Sequence, residues 1–152
     1  MAIWFATTPT IEDARASQAG LLAPHLGIEF TEWGDDFLRG TMPVEPRTRQ
    51  PMGYLHGGAS LVLAETLGSV AANFVVDRSR FRCLGQEINA NHLRPVAQGL
   101  VTGTARPFHI GARSQVWSIE IRDHGDRLAC ISRLTMAVVE WRAKSADKDS
   151  WK

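Results

Sequence analysis

The residue in this sequence whose setting most strongly suggests chemistry is Glu65, which lies in a long apolar stretch over residues 57–76. A carboxylate among apolar neighbours is costly to bury unless it is paired or used for chemistry. Ser69 and Asn73 follow at spacings of four and eight, so one polar stripe runs along an otherwise apolar helix. Such a carboxylate can act as a nucleophile or as a general base. The alternative is that the stripe faces water or makes a structural hydrogen bond.

Two glycines at the start of the same stretch offer a second chemical group. The sequence His56-Gly57-Gly58 opens the apolar run, and glycines at a helix start leave backbone N–H groups exposed at the positive end of the macrodipole. That geometry can hold a developing oxyanion. Gln50, in the proline-rich loop upstream, is a candidate side-chain donor. The alternatives are a tight turn into the helix and a solvated loop glutamine.

A third chemical group consists of basic side chains on the strands predicted downstream. Its members are His92, Arg94, Arg106, His109 and Arg113. Together such side chains can hold the phosphates of a nucleotide-bearing ligand. Taken singly, each is typical of the solvated end of a strand.

Several other kinds of site are excluded by the sequence. It contains no HExxH, CxxC, GxxxxGKS/T, GxGxxG or GxSxG pattern. We expect no metal site, because His56, His92 and His109 show no ligand spacing. A formal net charge of +1 argues against a nucleic-acid partner. We expect no apolar run to approach the ~20 residues that span a bilayer, and hence no membrane segment.

The cysteines and the first residues bear on the compartment. Cys83 and Cys130 are far apart in the sequence and match no metal-ligand spacing, so we expect two small core residues with free thiols. The first residues lack the basic and long apolar segments of a signal peptide. Free thiols without a signal predict a cytoplasmic location.

The elements that must position these groups fit one domain, since 152 residues would divide into two small cores. We predict that domain over residues 1–141, followed by a polar tail at 142–152. Its main element is a buried helix over about 57–76, with apolar residues almost all round it. A short helix is predicted over about 11–22, ended by Pro24.

Strand patterns account for most of the remaining chain. Residues 28–44 predict a hairpin, and 45–55 predict a loop rich in proline and glycine. Four further strands are predicted near residues 81–95, 98–109, 112–123 and 127–140. Short connections, such as the turn at 124–126, imply antiparallel pairing. We therefore predict an α+β fold, in which about six antiparallel strands curl around a central helix.

Two stretches of the sequence, residues 43–72 and 85–121, resemble the hotdog-fold acyl-CoA thioesterases. The specific feature is the combination of Gln50, an HGG triplet and an alanine followed by Glu65. The likeness covers roughly residues 24–140. The sequence is most similar to the branch that contains 1,4-dihydroxy-2-naphthoyl-CoA hydrolase and the proofreading thioesterase of enterobactin synthesis. The Arthrobacter-type 4-hydroxybenzoyl-CoA thioesterase is also similar.

The resemblance implies a hotdog fold with five or six antiparallel strands wrapped around the helix, in homodimers or in tetramers made of two dimers. It implies a catalytic carboxylate at Glu65, and a thioester-polarising amide at Gly57 assisted by Gln50. His56 precedes that amide, and Ser69 matches a residue that helps to place water. The implied coenzyme A contacts are Gly85, His92, Leu93, Arg94, Pro95, His109, Ile110, Gly111, Ala112, Arg113 and Ser114.

The expected function is hydrolysis of aromatic (hydroxybenzoyl- or 1,4-dihydroxy-2-naphthoyl-like) or medium-chain acyl-CoA, with Arg106 among the coenzyme A contacts. A role in menaquinone biosynthesis would fit, and so would removal of misloaded groups from a phosphopantetheinylated carrier protein. Coenzyme A is part of the substrate, and no other cofactor is expected.

One alternative is a hotdog dehydratase, which usually needs a histidine where Gln50 stands. Another is a non-catalytic acyl-CoA-binding protein, which has no need for Glu65. Asn73 receives no role from the resemblance.

The spacing of Gly57 and Glu65 predicts a site shared between two subunits. Eight residues along a helix separate them by about 12 Å along the axis and about 80° around it. An oxyanion donor and a nucleophile must both lie about 3 Å from one carbonyl group. One chain cannot easily supply both. Two helices packed antiparallel about a two-fold axis can, because the start of one lies beside the middle of the other.

Overall fold

A single antiparallel sheet of six strands wraps around one long helix in the computed structural model, which describes residues 1–141. The strand order is β1-β2-β4-β5-β6-β3. The elements are α1 Ile11–Gln18, α2 Leu22–His25, β1 Glu29–Trp33, β2 Leu38–Pro43, α3 Gly57–Val75, β3 Phe81–His92, β4 Leu100–Ile110, β5 Ser114–Arg122 and β6 Leu128–Glu140. This architecture confirms the predicted α+β hotdog fold. The predicted polar tail, residues 142–152, lies outside the described residues.

The core forms where α3 meets the concave face of the sheet. Ten of the 19 residues of α3 are buried. Leu67 packs closely against two glycines of the sheet, because a Cβ at Gly103 would lie 2.6 Å from a Leu67 methyl carbon, and one at Gly40 would lie 2.9 Å from the other. Trp117 on β5 is also fully buried, and its indole N–H donates to Gln115 at 2.9 Å. Full burial of one such large apolar side chain stabilises the fold by about 1.5–3 kcal/mol.

The strand β3 differs from its neighbours, because it stands at the end of the sheet and pairs with β6 alone. Its pairing shifts register between Gly85 and Glu87. Cys83 is the one buried residue of the strand, whereas Leu84 is exposed. An edge strand with this exposure presents unpaired backbone groups to anything that lies beside it.

Most predicted boundaries agree with the structure, and two do not. The first helix was predicted to run to about residue 22, but α1 ends at Gln18 and a second short helix follows. Pro24 does not end a helix; it lies inside α2, at a first-turn position where an N–H has no intrahelical acceptor. The strand predicted over 81–95 ends at His92, because the amides of Leu93 and Arg94 both turn to the Ala129 carbonyl.

The length and composition of α3 would allow it to cross a membrane, contrary to the expectation from the sequence. The reason is that Glu65 is the only charged residue within its 19 residues. Half of its most apolar stretch is buried inside the domain, and the core helix of a folded domain can have the same length and apolar composition.

Candidate active site

The start of α3 carries one bonded and one open backbone amide. His56 is the N-cap residue, and its Nδ1 atom accepts from the Gly58 N–H at 2.8 Å. The His56 carbonyl accepts from Ser60 at 3.1 Å. The Gly57 N–H has no acceptor among residues 1–141. Of the two glycine amides that the sequence indicated, only that of Gly57 is therefore open, at the positive end of the helix.

Gln50 is fixed next to this helix start by its own loop. Its backbone N–H donates to the Tyr54 carbonyl at 2.8 Å, and its carbonyl accepts from Gly53 at 2.9 Å. Its side-chain Oε1 accepts from the Met52 N–H. The side-chain NH₂ group donates to none of the described residues, so it is open to a ligand.

The cleft beside the helix start brings several predicted residues together. It has a volume of about 420 Å³, and Gln50 and Gly57 both line it. His92 lies directly on Gly57, since a Cβ there would meet His92 Nε2 at 2.8 Å. The predicted coenzyme A contacts in the same cleft are His92, Leu93, Arg94 and Pro95. The amide donors and one group of ligand contacts therefore share one space.

Glu65 lies outside that cleft, on the part of α3 that faces β3. Its side chain is half-buried, so the expectation of a carboxylate in the core is corrected. The reason is that β3 is the edge of the sheet and leaves one side of the carboxylate open. Glu65 Oε1 accepts from the Ser69 hydroxyl at 2.9 Å. It rests on Gly85, where a Cβ would lie 2.5 Å from Oε1.

The second group of predicted coenzyme A contacts lies at the other end of the sheet. Residues 109–114 span the end of β4, the short connection 111–113 and the start of β5, and the Gly111 N–H donates to the Ser114 carbonyl at 2.9 Å. Gly85 lies at the level of this connection, through the pairings Gly85↔Met136 and Gln115↔Met136. His92 is seven residues further along β3, roughly 20 Å away. One chain therefore places the predicted contacts in two separate groups.

Arg106 belongs to neither group. It projects from the convex face of β4, while the adjacent Ala105 is fully buried. It pairs with Asp36 and stacks on the Phe37 ring at 4.4 Å. The alternation of the small apolar residues Val101, Gly103 and Ala105 with polar neighbours is the sequence signal that could have placed Arg106 on the outer face.

Asn73, which receives no role from the resemblance, lies in the same region as Glu65 and Gly85. Asn73 hydrogen-bonds through its side chain to Ser69 and to both backbone groups of Cys83. The sequence signal for Asn73 was its spacing of eight residues from Glu65, which places both on the same polar stripe of α3.

The cysteines are free and buried, as predicted. Burial raises the pKa of the Cys83 and Cys130 thiols to about 11, so neither is a ready thiolate nucleophile. Within residues 1–141, no group of three His, Cys, Asp or Glu side chains lies close enough to hold a metal ion.

Comparison with known proteins identifies the family. The model of the thioesterase superfamily matches residues 52–130. The chain is 51% identical over 130 residues to the proofreading thioesterase EntH of Cronobacter turicensis, covering 86% of this chain and 94% of that protein. It is 49% identical over 130 residues to the 1,4-dihydroxy-2-naphthoyl-CoA hydrolase of Escherichia coli, covering 86% and 95%.

The fold agrees with solved structures. The crystal structure of a mutant thioesterase from Pseudomonas aeruginosa matches with a TM-score of 0.89 and 46% identity, covering 92% of this chain and all of that one. A thioesterase from Haemophilus influenzae matches with a TM-score of 0.86 and 44% identity, covering 91% and 95%. The chain belongs to the thioesterase superfamily and is a hotdog-fold thioester hydrolase.

Proposed function

We propose that the protein hydrolyses acyl-CoA thioesters with aromatic or medium-chain acyl groups. One observation carries this proposal: an open Gly57 amide and the open NH₂ group of Gln50 line the same cleft at the positive end of α3. Two such donors can polarise a thioester carbonyl and stabilise the oxyanion that forms from it. The name of the E. coli relative, 1,4-dihydroxy-2-naphthoyl-CoA hydrolase, supports an aromatic acyl group.

Glu65 supplies the second part of the reaction. In one route its carboxylate attacks the carbonyl carbon, the thiolate of coenzyme A leaves, and water then hydrolyses the mixed anhydride. In the other it takes a proton from a water molecule, which attacks the carbonyl directly. The Ser69 hydroxyl, 2.9 Å from Glu65 Oε1, is placed to orient water in either route. Because the thiolate is a good leaving group, no strong general acid is required.

The walls of the cleft favour an apolar acyl group. Beyond the two amide donors, its lining includes Leu55, Val96 and Ile121. A phosphopantetheine arm presents the same thioester as coenzyme A, so proofreading of a misloaded carrier protein is the second candidate function. The name of the C. turicensis relative favours this candidate. Buried free thiols at Cys83 and Cys130 fit the cytoplasm as the place of action.

Each active site in this proposal combines two chains. Within one chain Glu65 is not among the residues that line the cleft of Gln50 and Gly57. The edge strand β3, with Gly85 beside Glu65, offers a place for a second copy to pair. A dimer of this kind would place Glu65 of one chain near Gly57 of its partner, and two dimers would form the tetramer.

The proposed substrate class is tested by a panel of thioesters. Purified protein is assayed for thiol release from 4-hydroxybenzoyl-CoA, 1,4-dihydroxy-2-naphthoyl-CoA and a medium-chain acyl-CoA, and from an aryl group loaded on a carrier protein. We expect kcat/KM of about 10⁴ M⁻¹s⁻¹ or more for at least one coenzyme A thioester. Thiol release from the loaded carrier protein, but from none of the coenzyme A thioesters, would indicate proofreading as the function. Absence of thiol release from all four would contradict the proposal.

The shared site is tested by complementation. One inactive partner carries Glu65→Ala, and the other carries Gln50→Ala with Gly57→Pro, which removes both donors. After subunit exchange, each mixed dimer regains one intact site, so its activity should approach half that of the wild type. If mass measurement demonstrates subunit exchange and no activity returns, each chain builds its own site.

A further inference from the structure

Asn73 lies two turns beyond Glu65 on the polar stripe of α3, and its side chain joins the helix to β3. Its Nδ2 group donates to the Ser69 carbonyl at 2.9 Å and to the Cys83 carbonyl at 3.0 Å. Its Oδ1 atom accepts from the Cys83 N–H at 2.9 Å. One amide side chain therefore satisfies both polar backbone groups of Cys83, as a neighbouring strand would do.

Two residues further along β3, Gly85 forms the surface on which the Glu65 carboxylate rests. This segment of β3 has limited support from the sheet. Within one chain it has no second neighbouring strand, and its pairing with β6 is irregular directly after Gly85. Asn73 supplies hydrogen bonds from the helix side at the position just before this irregularity.

The other support of the carboxylate also adjoins Asn73. Ser69 donates from its hydroxyl to Glu65 Oε1, and its own carbonyl accepts from Asn73. We propose that Asn73 is a positioning residue that fixes the resting place of the Glu65 carboxylate through Ser69 and the Cys83–Gly85 segment. This proposal rests on the catalytic role proposed for Glu65. A purely structural brace between α3 and β3 is the competing explanation.

A double-mutant cycle on the turnover rate separates the two explanations. Gly85→Ala places its Cβ 2.5 Å from Glu65 Oε1; because that atom ends a flexible side chain, the carboxylate moves while the fold is kept. We expect Asn73→Ala and Gly85→Ala each to lower kcat by about 10- to 100-fold. If both act by displacing the same carboxylate, the double variant should be little worse than the more damaging single variant.

The assay uses the full chain and the coenzyme A thioester with the highest kcat/KM in the panel, with kcat read at saturating substrate. Asn73→Asp keeps the size of the side chain but replaces its donor group, so it should lower kcat as Asn73→Ala does. Asn89→Ala is the matched control, because this β3 asparagine is exposed and its side chain bonds to Glu87 alone. Its kcat should stay within about twofold of the wild type.

The outcomes distinguish the two proposals. Wild-type kcat in folded Asn73→Ala, or single effects that multiply in the double variant, would overturn the positioning role. If Asn73→Ala fails to fold, wild-type kcat in Gly85→Ala would overturn it equally. Wild-type turnover in Glu65→Gln would instead overturn the proposed function. Glu65→Gln without activity, together with a non-additive cycle, would support both.

Discussion

Two carboxylates, the buried Asp123 and the half-buried Glu65, show how this molecule separates structure from chemistry. Asp123 begins the β5–β6 turn, and each of its oxygens is occupied. Oδ1 accepts from the Gly125 N–H at 2.9 Å and the Arg127 N–H at 3.0 Å. Oδ2 accepts from Arg127 Nε at 2.9 Å and forms an ion pair with Arg127 Nη2 at 2.8 Å. Glu65 accepts from the Ser69 hydroxyl on Oε1. Its Oε2 atom receives no hydrogen bond from residues 1–141.

The difference indicates what each carboxylate is suited to do. A carboxylate with every lone pair occupied has no room for a substrate or a water molecule, and it stabilises the turn that encloses it. A carboxylate with an open oxygen keeps the capacity to attack or to accept a proton. The same contrast separates the bonded amide of Gly58 from the open amide of Gly57.

The sharpest test of this contrast compares turnover in Glu65→Gln and Asp123→Asn. Both changes replace a carboxylate by an amide of the same shape. We expect kcat to fall by at least about 100-fold in Glu65→Gln, because the amide is neither a nucleophile nor a base. Asp123→Asn should keep kcat within about twofold. Comparable losses in both variants would remove the distinction between the open and the occupied carboxylate.

The amides at the helix start give the next largest effect. Gly57→Pro removes the open N–H, and proline is compatible with the first helical position. The extended backbone of His56, with φ −69° and ψ 131°, also tolerates a following proline. We expect kcat to fall by about 100- to 1,000-fold. Gly57→Ala is the control, because it adds a similar contact with His92 but retains the N–H. Equal losses in both variants would attribute the effect to His92 rather than to the amide.

The sequence allowed the open groups to be found one at a time. The HGG triplet predicted the start of α3 because glycines and a helix N-terminus belong together. The polar stripe of α3 predicted Glu65 and Ser69 because residues four apart lie on the same face of a helix. The turn at 124–126 was predicted because glycine and aspartate there end one strand and begin the next.

The degree of exposure and the grouping of residues could not be read in this way. Apolar residues surround Glu65 in the sequence, but exposure depends on which strand is the edge of the sheet, and strand order is set by long-range packing. For the same reason the sequence suggested that the basic residues of the strands form one phosphate-binding cluster. The sheet instead places Arg94 and Arg113 near opposite ends and turns Arg106 outward.

The arginines extend the contrast between occupied and open groups to binding. Arg106 is paired with Asp36, whereas Arg94 and Arg113 form no ion pair with the described residues. We expect Arg94→Ala and Arg113→Ala each to raise KM for an acyl-CoA by up to about tenfold with little change in kcat, since phosphate contacts hold ground and transition states alike. The increase should shrink at high salt. Arg106→Ala should leave KM unchanged. A rise in KM for Arg106→Ala alone would move the phosphate site to the convex face.

The smallest expected effect is on stability in acid, and it comes from the occupied carboxylate. The side-chain hydrogen bonds of Arg127, assisted by the backbone N–H groups of Arg127 and Gly125, lower the pKa of Asp123 from 3.8 to about 2. A carboxyl whose pKa is lower in the folded state stabilises the fold above its unfolded pKa, and this contribution is lost as pH falls towards the folded pKa.

Asp123→Asn should therefore lower the urea midpoint of unfolding at pH 7 and pH 5. Between pH 4 and pH 2 the midpoint of the variant should approach that of the wild type. The other carboxyl groups are common to both proteins, so they cancel in the difference. A difference in midpoint that stays constant from pH 7 to pH 2 would show that the charge of Asp123 contributes nothing and that the turn depends on the shape of the side chain alone.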